Sequence, residues 1–171
     1  MIKKRQNYLL SSLVDTFDKE INEDLLLTLE NLLEVYKKRR DVDKSPKIPL
    51  SLFASRKLGI LEVLVKCLRE NYSLHYCDIG RFLKRNPRTI WATYNESVKK
   101  QPEKFNIDEE SILIPSIIFS DRRLAPLESL TIYLKEKYNL GFKQISQLLY
   151  RNYKTIWLSY QHGIRKRIKN V

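Results

Sequence analysis

Residues 79–91 have the sequence IGRFLKRNPRTIW, and residues 145–157 have the sequence ISQLLYRNYKTIW. In each stretch an isoleucine and a leucine four residues apart form the inner face of a short helix, and a later isoleucine lies on the inner face of a second helix. Asn86 and Asn152 are favourable N-caps for that second helix, because the asparagine side chain accepts a hydrogen bond from the free amides of a helix start. Pro87 suits the first helical position, where no N–H is needed. The spacing therefore predicts two helices joined by a tight turn, a helix-turn-helix.

The residue after the first isoleucine is small in both stretches, Gly80 in one and Ser146 in the other. We expect the two helices to cross at this point, where a side chain larger than Ala or Ser would push them apart.

The two stretches belong to a longer duplication. Residues 48–100 align with residues 114–166 at a constant offset of 66 without a gap, and 21 of the 53 aligned positions are identical. Self-similarity of this kind predicts two copies of one structural unit.

Each copy has the apolar spacing of a three-helix unit. The first helix is predicted over Leu58–Glu70 and Leu124–Lys137, the second over Tyr76–Lys84 and Phe142–Tyr150, and the third from Pro87 and Tyr153 onward. Strand signals are nearly absent, and the one candidate is Ile112–Phe119. The sequence predicts an all-α fold with four parts: a helical segment over residues 1–45, helix-turn-helix repeats over 46–100 and 112–171, and an acidic connector over 101–111.

The N-terminal segment keeps an apolar spacing of three and four residues with charges between. The stripe consists of Leu9, Leu10, Leu13, Phe17, Ile21, Leu25, Leu29, Leu32, Leu33 and Tyr36. A segment this short cannot bury such a stripe alone. It either packs on the repeats or forms a homodimer with a copy from another chain.

Composition excludes several classes of protein. Two cysteines without a CxxC motif and two separated histidines support neither a disulfide scaffold nor a metal cluster nor a Cys–His nucleophile. Cys67 and Cys77 align with Tyr133 and Lys143, which excludes paired zinc sites. No run of about 18 apolar residues occurs, and no signal peptide is recognisable. We expect a non-enzymatic cytoplasmic protein without cofactor, metal or membrane.

The net charge of +12 in the 171 residues is concentrated in the repeats. Residues 46–100 have a net charge of +7 and residues 112–171 of +8, whereas residues 1–45 are neutral and the connector has −3. Because solubility alone needs no such segregation, the pattern favours a polyanion as the partner of the repeats.

Residues 79–94 and 145–160 resemble the helix-turn-helix of sigma factor region 4, a module of many transcription regulators, especially at Asn-x-x-Thr-Ile-Trp. The resemblance covers about 50 residues of each repeat and concerns this module, not a full sigma factor. It implies that the second helix of the motif enters the major groove of duplex DNA and presents its outward residues there.

The outward positions that would contact bases are Arg88, Trp91, Ala92 and Asn95 in repeat one, and Lys154, Trp157, Leu158 and Gln161 in repeat two. Arg suits guanine, and Asn or Gln suits adenine. Residues placed for phosphate contacts are Lys84, Arg85, Thr89, Lys99, Lys100, Arg151, Thr155, Arg165, Lys166 and Arg167. Since four of the eight outward positions differ in charge or size between the repeats, we expect two different half-sites rather than a direct repeat in the DNA.

Some of these residues have a structural alternative. Core packing is the preferred interpretation for Trp91 and Trp157, because Trp is uncommon at base-reading positions. Arg85 and Arg151 either contact phosphate, cap a helix or pair with Glu70 and Glu136. Glu62 and Glu128 are interpreted as structural, bonding to Arg56 and Arg122 or to backbone. Cys67 and Cys77 are expected to be buried free thiols, and His162 a solvated residue or a phosphate contact.

The connector allows both repeats to bind one DNA. Its eleven residues span at most about 36 Å, and successive major grooves on one face lie about 34 Å apart. An extended connector would bridge them, and a compact one would hold the repeats closer.

The sequence as a whole predicts a DNA-binding transcriptional regulator of a prokaryote, associated with the nucleoid. The alternatives are a protein-interaction adaptor that docks on RNA polymerase or another regulator through its tryptophans, a nonspecific architectural DNA protein, and, with less support, an RNA-binding protein.

Overall fold

The structure is a computed structural model that describes residues 23–37, 40, 44–107 and 112–169. These residues are mostly helical, with one small two-stranded sheet, so the predicted all-α fold is confirmed. The chain divides into two compact units, residues 1–41 and residues 42–171. Both sequence repeats lie in the second unit.

Residues 23–37 of the first unit form helix α1. Every described side chain in this helix is exposed, and Leu25, Leu29, Leu32 and Tyr36 lie on one side of it at spacings of four, three and four residues. The part of the predicted stripe in residues 9–21 lies outside the described residues.

The two repeats have the same order of elements. Repeat one consists of β1 (Lys47–Pro49), a 3₁₀ turn (Leu50–Ala54), α2 (Ile60–Glu70), α3 (Tyr76–Phe82) and α4 (Pro87–Lys100). Repeat two consists of β2 (Leu113–Pro115), a 3₁₀ turn (Ser116–Ser120), α5 (Pro126–Tyr138), α6 (Phe142–Leu148) and α7 (Tyr153–Ile168). The predicted three helices per repeat are present in both.

Local side-chain chemistry explains where the longer helices begin. The Asn86 side chain accepts a hydrogen bond from the Arg88 amide at 2.8 Å, and Asn152 accepts one from the Lys154 amide at 2.8 Å. Both predicted N-caps of α4 and α7 are therefore confirmed.

Helices α2 and α5 each have a glutamate as their third residue, and its carboxylate accepts a hydrogen bond from the backbone just before the helix. Glu62 accepts from the Gly59 amide and Glu128 from the Ala125 amide, each at 2.8 Å. The Lys100 ammonium lies 2.6 Å from Glu62, and the Lys166 ammonium lies 2.7 Å from Glu128. The predicted structural role of both glutamates is confirmed, but their cationic partners are these two lysines instead of Arg56 and Arg122.

The strands β1 and β2 pair antiparallel and join the two repeats. Ile48 is the partner of Ile114, which is its own counterpart at the offset of 66. Pro49 and Pro115 occupy the alternate positions, where an antiparallel pair needs no cross-strand N–H. A register centred on two equivalent residues places a pseudo-two-fold axis at this pair.

Hydrogen bonds beyond the strands obey the same symmetry. The Leu50 amide donates to the Ile112 carbonyl at 2.8 Å, and the Ser116 amide donates to the Pro46 carbonyl at 2.9 Å. The offset of 66 converts each of these bonds into the other. The repeats are thus related as two subunits of an isologous dimer are, but within one chain.

One hydrophobic core extends through both repeats. It includes Phe53 and Phe119, whose ring centroids lie 5.7 Å apart. Equivalent aliphatic side chains from all six helices of the unit join the same cluster: Leu64, Leu68, Ile79, Leu83, Ile90, Leu130, Leu134, Ile145, Leu149 and Ile156. The repeats therefore share their interior.

The described part of the connector packs on repeat one. Phe105 is buried, its carbonyl accepts a hydrogen bond from Asn71 at 3.0 Å, and the Lys66 ammonium lies 5.7 Å from its ring centroid. Residues 108–111 lie outside the described residues. Because β1 and β2 pair directly, the two repeats are held close together, as the compact alternative expects.

Candidate nucleic-acid interface

The turn between α3 and α4 is tighter than the sequence predicts. A Cβ atom at Gly80 would lie 2.8 Å from the Arg85 carbonyl oxygen and 3.2 Å from Pro87. The Arg85 amide also donates to the Gly80 carbonyl at 2.7 Å. Even alanine therefore does not fit at position 80 without movement of the backbone. In repeat two Ser146 fits the equivalent place, where Tyr153 replaces the proline.

A residue in the left-handed backbone region closes each turn. Lys84 has φ 52° and Tyr150 has φ 47°. Both side chains are exposed, and neither residue type marks such a position in a sequence, since Gly and Asn are the usual occupants. The turns place Lys84 and Tyr150 two residues before the caps of α4 and α7.

The outward face of α4 follows the predicted pattern. Ile90 is fully buried, whereas Arg88, Trp91 and Ala92 are exposed and Asn95 is half-buried. The Arg88 guanidinium makes no hydrogen bond or ion pair with any other described residue. It is available to a ligand.

Helix α7 repeats this arrangement with different chemistry. Ile156 is fully buried, Lys154 and Trp157 are exposed, and Leu158 and Gln161 are half-buried. Within the described part of the chain the Lys154 ammonium has no partner. Each helix thus presents one unpaired cation, one tryptophan and one amide side chain on its outward face.

The two tryptophans are not core residues. Trp91 is 53% exposed and Trp157 is 40% exposed. The preferred interpretation of these residues as core is therefore wrong. In repeat one, Tyr94 instead of Trp91 faces helix α2, and its hydroxyl donates to Glu70 at 3.1 Å.

Exposed aromatic side chains are more numerous in repeat two. Tyr150 is 64% exposed in the turn, and Tyr153 is 53% exposed and precedes Trp157 by four residues, about one turn of α7. Their counterparts are Lys84 and Pro87. The sequence analysis did not single out these tyrosines, although their alignment with a lysine and a proline is a signal that the repeats differ there.

Eight of the ten phosphate candidates fall into two groups. The first group forms ion pairs within the chain. Lys99 lies 2.7 Å from Glu96 and Arg167 lies 2.9 Å from Glu136, and Lys100 and Lys166 form the pairs described above. Lys84, Thr89, Thr155 and Arg165 are exposed and make no side-chain contact of this kind to another described residue. The second group can contact a phosphate without breaking an existing pair.

Arg85 and Arg151 occupy equivalent half-buried places beside the turns. Their Nε atoms are buried and have no hydrogen-bond partner among the described residues. Burial lowers the pKa of the Arg85 guanidinium, and the neighbouring Arg122 lowers it further. The predicted pairing with Glu70 and Glu136 is wrong, because Glu70 binds Lys66 at 2.6 Å and Glu136 binds Arg167.

Arg122 is a residue that the sequence analysis did not assign to the site. Its guanidinium donates to the Lys84 carbonyl of the other repeat at 2.9 Å. This bond connects the loop before α5 to the turn before α4. Arg56 and Arg122 are identical in the alignment of the two repeats, and this identity is the sequence signal that the position matters.

One flank of α4 borders the second repeat. Thr89, Ala92, Thr93 and Glu96 line a cleft whose opposite wall is the start of α5, residues 125–127, with Arg151. Thr89 and Ala92 therefore lie at the edge of the outward face, next to the junction of the repeats.

The two cysteines differ in their exposure. Cys67 is buried and Cys77 is exposed, so the expectation of two buried thiols is wrong for Cys77. Within residues 23–37, 40, 44–107 and 112–169, no group of three His, Cys, Asp or Glu side chains could hold a metal ion. None of the helices in this part of the chain is long and apolar enough to span a bilayer.

No family model matches the chain, and no curated protein or solved structure is significantly similar to it.

Proposed function

We propose that this chain is a sequence-specific duplex DNA-binding protein that regulates transcription through two helix-turn-helix units. The observation that carries the proposal is the equivalent outward faces of α4 and α7, each with an unpaired cation, an exposed tryptophan and an amide side chain. Side chains of these types at the start of a helix match the donors and acceptors that base edges display in the major groove.

The residues around these faces suit the phosphate groups of DNA. The capped starts of α4 and α7 point backbone amides outward, where a phosphate is stabilised. Lys84 and Arg165 are exposed and have no partner among the described residues. Their positive charges attract the phosphate backbone of the duplex. The resemblance of both stretches to sigma factor region 4 supports the same assignment.

The chemistry of the two faces assigns separate roles to their residues. Arg88 donates two parallel hydrogen bonds to the O6 and N7 acceptors of a guanine, and Asn95 and Gln161 pair with the N6 and N7 of an adenine. Leu158 contacts a thymine methyl group. A bidentate pair of this kind discriminates against the wrong base by about 1–3 kcal/mol.

Selection of bound sequences from a random duplex pool, followed by a charge-reversal experiment, tests the proposal. Arg88→Glu with Lys154→Glu should weaken binding to the selected duplex by at least a hundredfold. The matched control is Lys57→Glu with Lys137→Glu, which changes the net charge equally at two exposed lysines outside the turns and outer helices. Equal losses in the two double variants, or no enriched sequence, would contradict sequence-specific binding.

A second candidate function is a protein-interaction adaptor that docks on RNA polymerase or another regulator. The observation that favours it is the exposure of Trp91 and Trp157, since exposed tryptophans are common anchors of protein interfaces. Trp91→Ala with Trp157→Ala separates the two functions. An adaptor would lose its partner in this variant and keep it after charge reversal at Arg88 and Lys154, whereas a DNA-binding protein would be most sensitive to the charge reversal.

A further inference from the structure

We infer that the DNA target is an imperfect inverted repeat, and that one chain contacts both halves, with α4 on one half and α7 on the other. This inference rests on the proposed function and adds the arrangement and spacing of the half-sites. A tandem duplication in sequence would suggest a direct repeat in the DNA, with both units oriented alike. The packing of the repeats opposes that arrangement.

The orientation of the two units follows from the backbone that joins them. Ile48 pairs with Ile114, and the two flanking hydrogen bonds, from Leu50 to Ile112 and from Ser116 to Pro46, are equivalent under the same rotation. An antiparallel pair centred on equivalent residues relates its two chains by a two-fold rotation and not by a translation. Because the elements that follow β1 and β2 have the same order in the two repeats, we extend this rotation to α4 and α7. The two helices then present equivalent faces with opposite directions along a DNA that lies across the two-fold axis.

The two repeats cannot reorient independently. Phe53 and Phe119 pack together in the core at the junction, and Arg122 bonds to the turn before α4. Both contacts would have to break before α7 could turn to match α4 by translation. A two-fold related pair of DNA-binding helices requires half-sites that are inverted about a common centre.

The packing also limits the spacing of the half-sites. Helix α4 packs on α2, α2 contacts α5, and α5 packs on α7. With about 8–10 Å between the axes of packed helices, this path is at most about 30 Å long. This upper limit is slightly below the roughly 34 Å between successive major grooves on one face and far below two helical turns. We therefore expect half-site centres no more than about 10 base pairs apart.

The inverted repeat must be imperfect because the two faces differ. Arg88 corresponds to Lys154, and Ala92 corresponds to Leu158. The α4 half should contain a guanine that the α7 half need not have, and the α7 half should favour a thymine methyl beside Leu158. The pair Trp91 and Trp157 is common to both halves.

Binding of designed duplexes tests the arrangement. The two half-sites are taken from the selected sequence and placed as an inverted repeat or as a direct repeat, with centres about 10, 15 or 20 base pairs apart. The inverted duplex with centres about 10 base pairs apart should bind the full-length chain at least tenfold more tightly than the others. Equal or tighter binding to a direct repeat, or an optimum at two turns, would overturn the inference while leaving duplex binding intact.

A footprint of two single variants tests whether one chain contacts both halves. Arg88→Glu should remove protection from one half of the inverted duplex, and Lys154→Glu should remove it from the other half. The footprints are compared at chain concentrations at which each variant still occupies the duplex. If Arg88→Glu then weakens protection of both halves equally and Lys154→Glu weakens neither, each half is bound by α4 of a separate chain and the inference is wrong. If neither the wild-type chain nor the Lys57→Glu, Lys137→Glu control binds any duplex, the proposed function itself fails.

Discussion

The rings of Phe53 and Phe119 lie 5.7 Å apart between centroids, and the two residues occupy the same position in two copies of one sequence. Each ring is buried in the core that the repeats share. The contact therefore connects the stability of repeat one to that of repeat two.

Removal of either ring should destabilise the whole second unit. Phe53→Ala and Phe119→Ala should each lower the free energy of unfolding by about 3–5 kcal/mol, the usual loss for a large buried aromatic side chain. Because the rings touch, the double variant should lose less than the sum of the two, by about 0.5–1.5 kcal/mol. Denaturant unfolding followed by tryptophan fluorescence measures these values. A Phe53→Ala chain that unfolds in two steps, with repeat two remaining folded, would contradict a shared core.

The turn at Gly80 provides a second prediction. Gly80→Ala should cost about 1–3 kcal/mol, because its Cβ would lie 2.8 Å from a backbone oxygen that cannot move freely. The matched control is Gly59→Ala, whose Cβ would meet only ordinary contacts at 3.7 Å or more and which converts the position to its counterpart, Ala125. That change should stay within about 0.5 kcal/mol. Similar thermal midpoints for both variants would refute the close approach at position 80.

The buried ion pair of Lys66 and Glu70 in repeat one provides a third prediction. The Lys66 side chain is fully buried and lies 2.6 Å from Glu70, whereas the counterpart of Lys66 in repeat two is the apolar Ile132. Lys66→Ala should lower the free energy of unfolding by about 3–5 kcal/mol, because Glu70 would be left without its cation. The exposed pair of Lys99 and Glu96 is the control, and Lys99→Ala should cost no more than about 1 kcal/mol. Equal costs at the two lysines would show that Lys66 does not neutralise Glu70.

The two cysteines should differ in reactivity. At pH 8 a thiol reagent should modify the exposed Cys77 within minutes and should reach the buried Cys67 only when the chain unfolds. Peptide mapping after modification distinguishes the two sites. Modification of both thiols at the same rate in the native protein would contradict the burial of Cys67.

The same thiol predicts a loss of stability at alkaline pH. Burial, with a further contribution from Glu70, raises the pKa of Cys67 from 9.0 to about 12. Between these values the unfolded chain releases a proton that the folded chain retains, so the unfolding free energy should fall by up to about 1.4 kcal/mol per pH unit. Burial likewise raises the pKa of Tyr133, from 10.0 to about 12, which adds to the fall above pH 10. A Cys67→Ala chain should therefore have a flatter profile between pH 9 and 10, and an unchanged profile there would refute the shift.

The sequence predicts the local structure well, because that structure depends on neighbouring residues. The caps at Asn86 and Asn152 and the buried faces at Ile90 and Ile156 follow from spacing alone, and the structure confirms them. A constant offset of 66 also identifies equivalent residues. It contains no information on whether the copies are related by translation or rotation, so the pairing of Ile48 with Ile114 could not be predicted.

Two further features of the site depend on tertiary context. A core position is the expectation for Trp91 because Trp is uncommon at base-reading positions, but the nearby Tyr94 supplies the inward contact to Glu70, and the indole remains exposed. Lys84 adopts a left-handed backbone that its residue type does not signal. Both features arise from packing between elements, which periodicity within one helix does not describe.

If cations around α4 and α7 that lack a partner among the described residues hold duplex DNA, binding must weaken steeply as the salt concentration rises. The equilibrium constant for the selected duplex should be measured by fluorescence anisotropy from about 50 to 300 mM KCl, with the full-length chain. If the chain contacts about six phosphates, a plot of log K against log salt should be linear with a slope near −5, at about −0.9 per phosphate. A slope near zero would show that these cations do not contact the phosphates of the duplex.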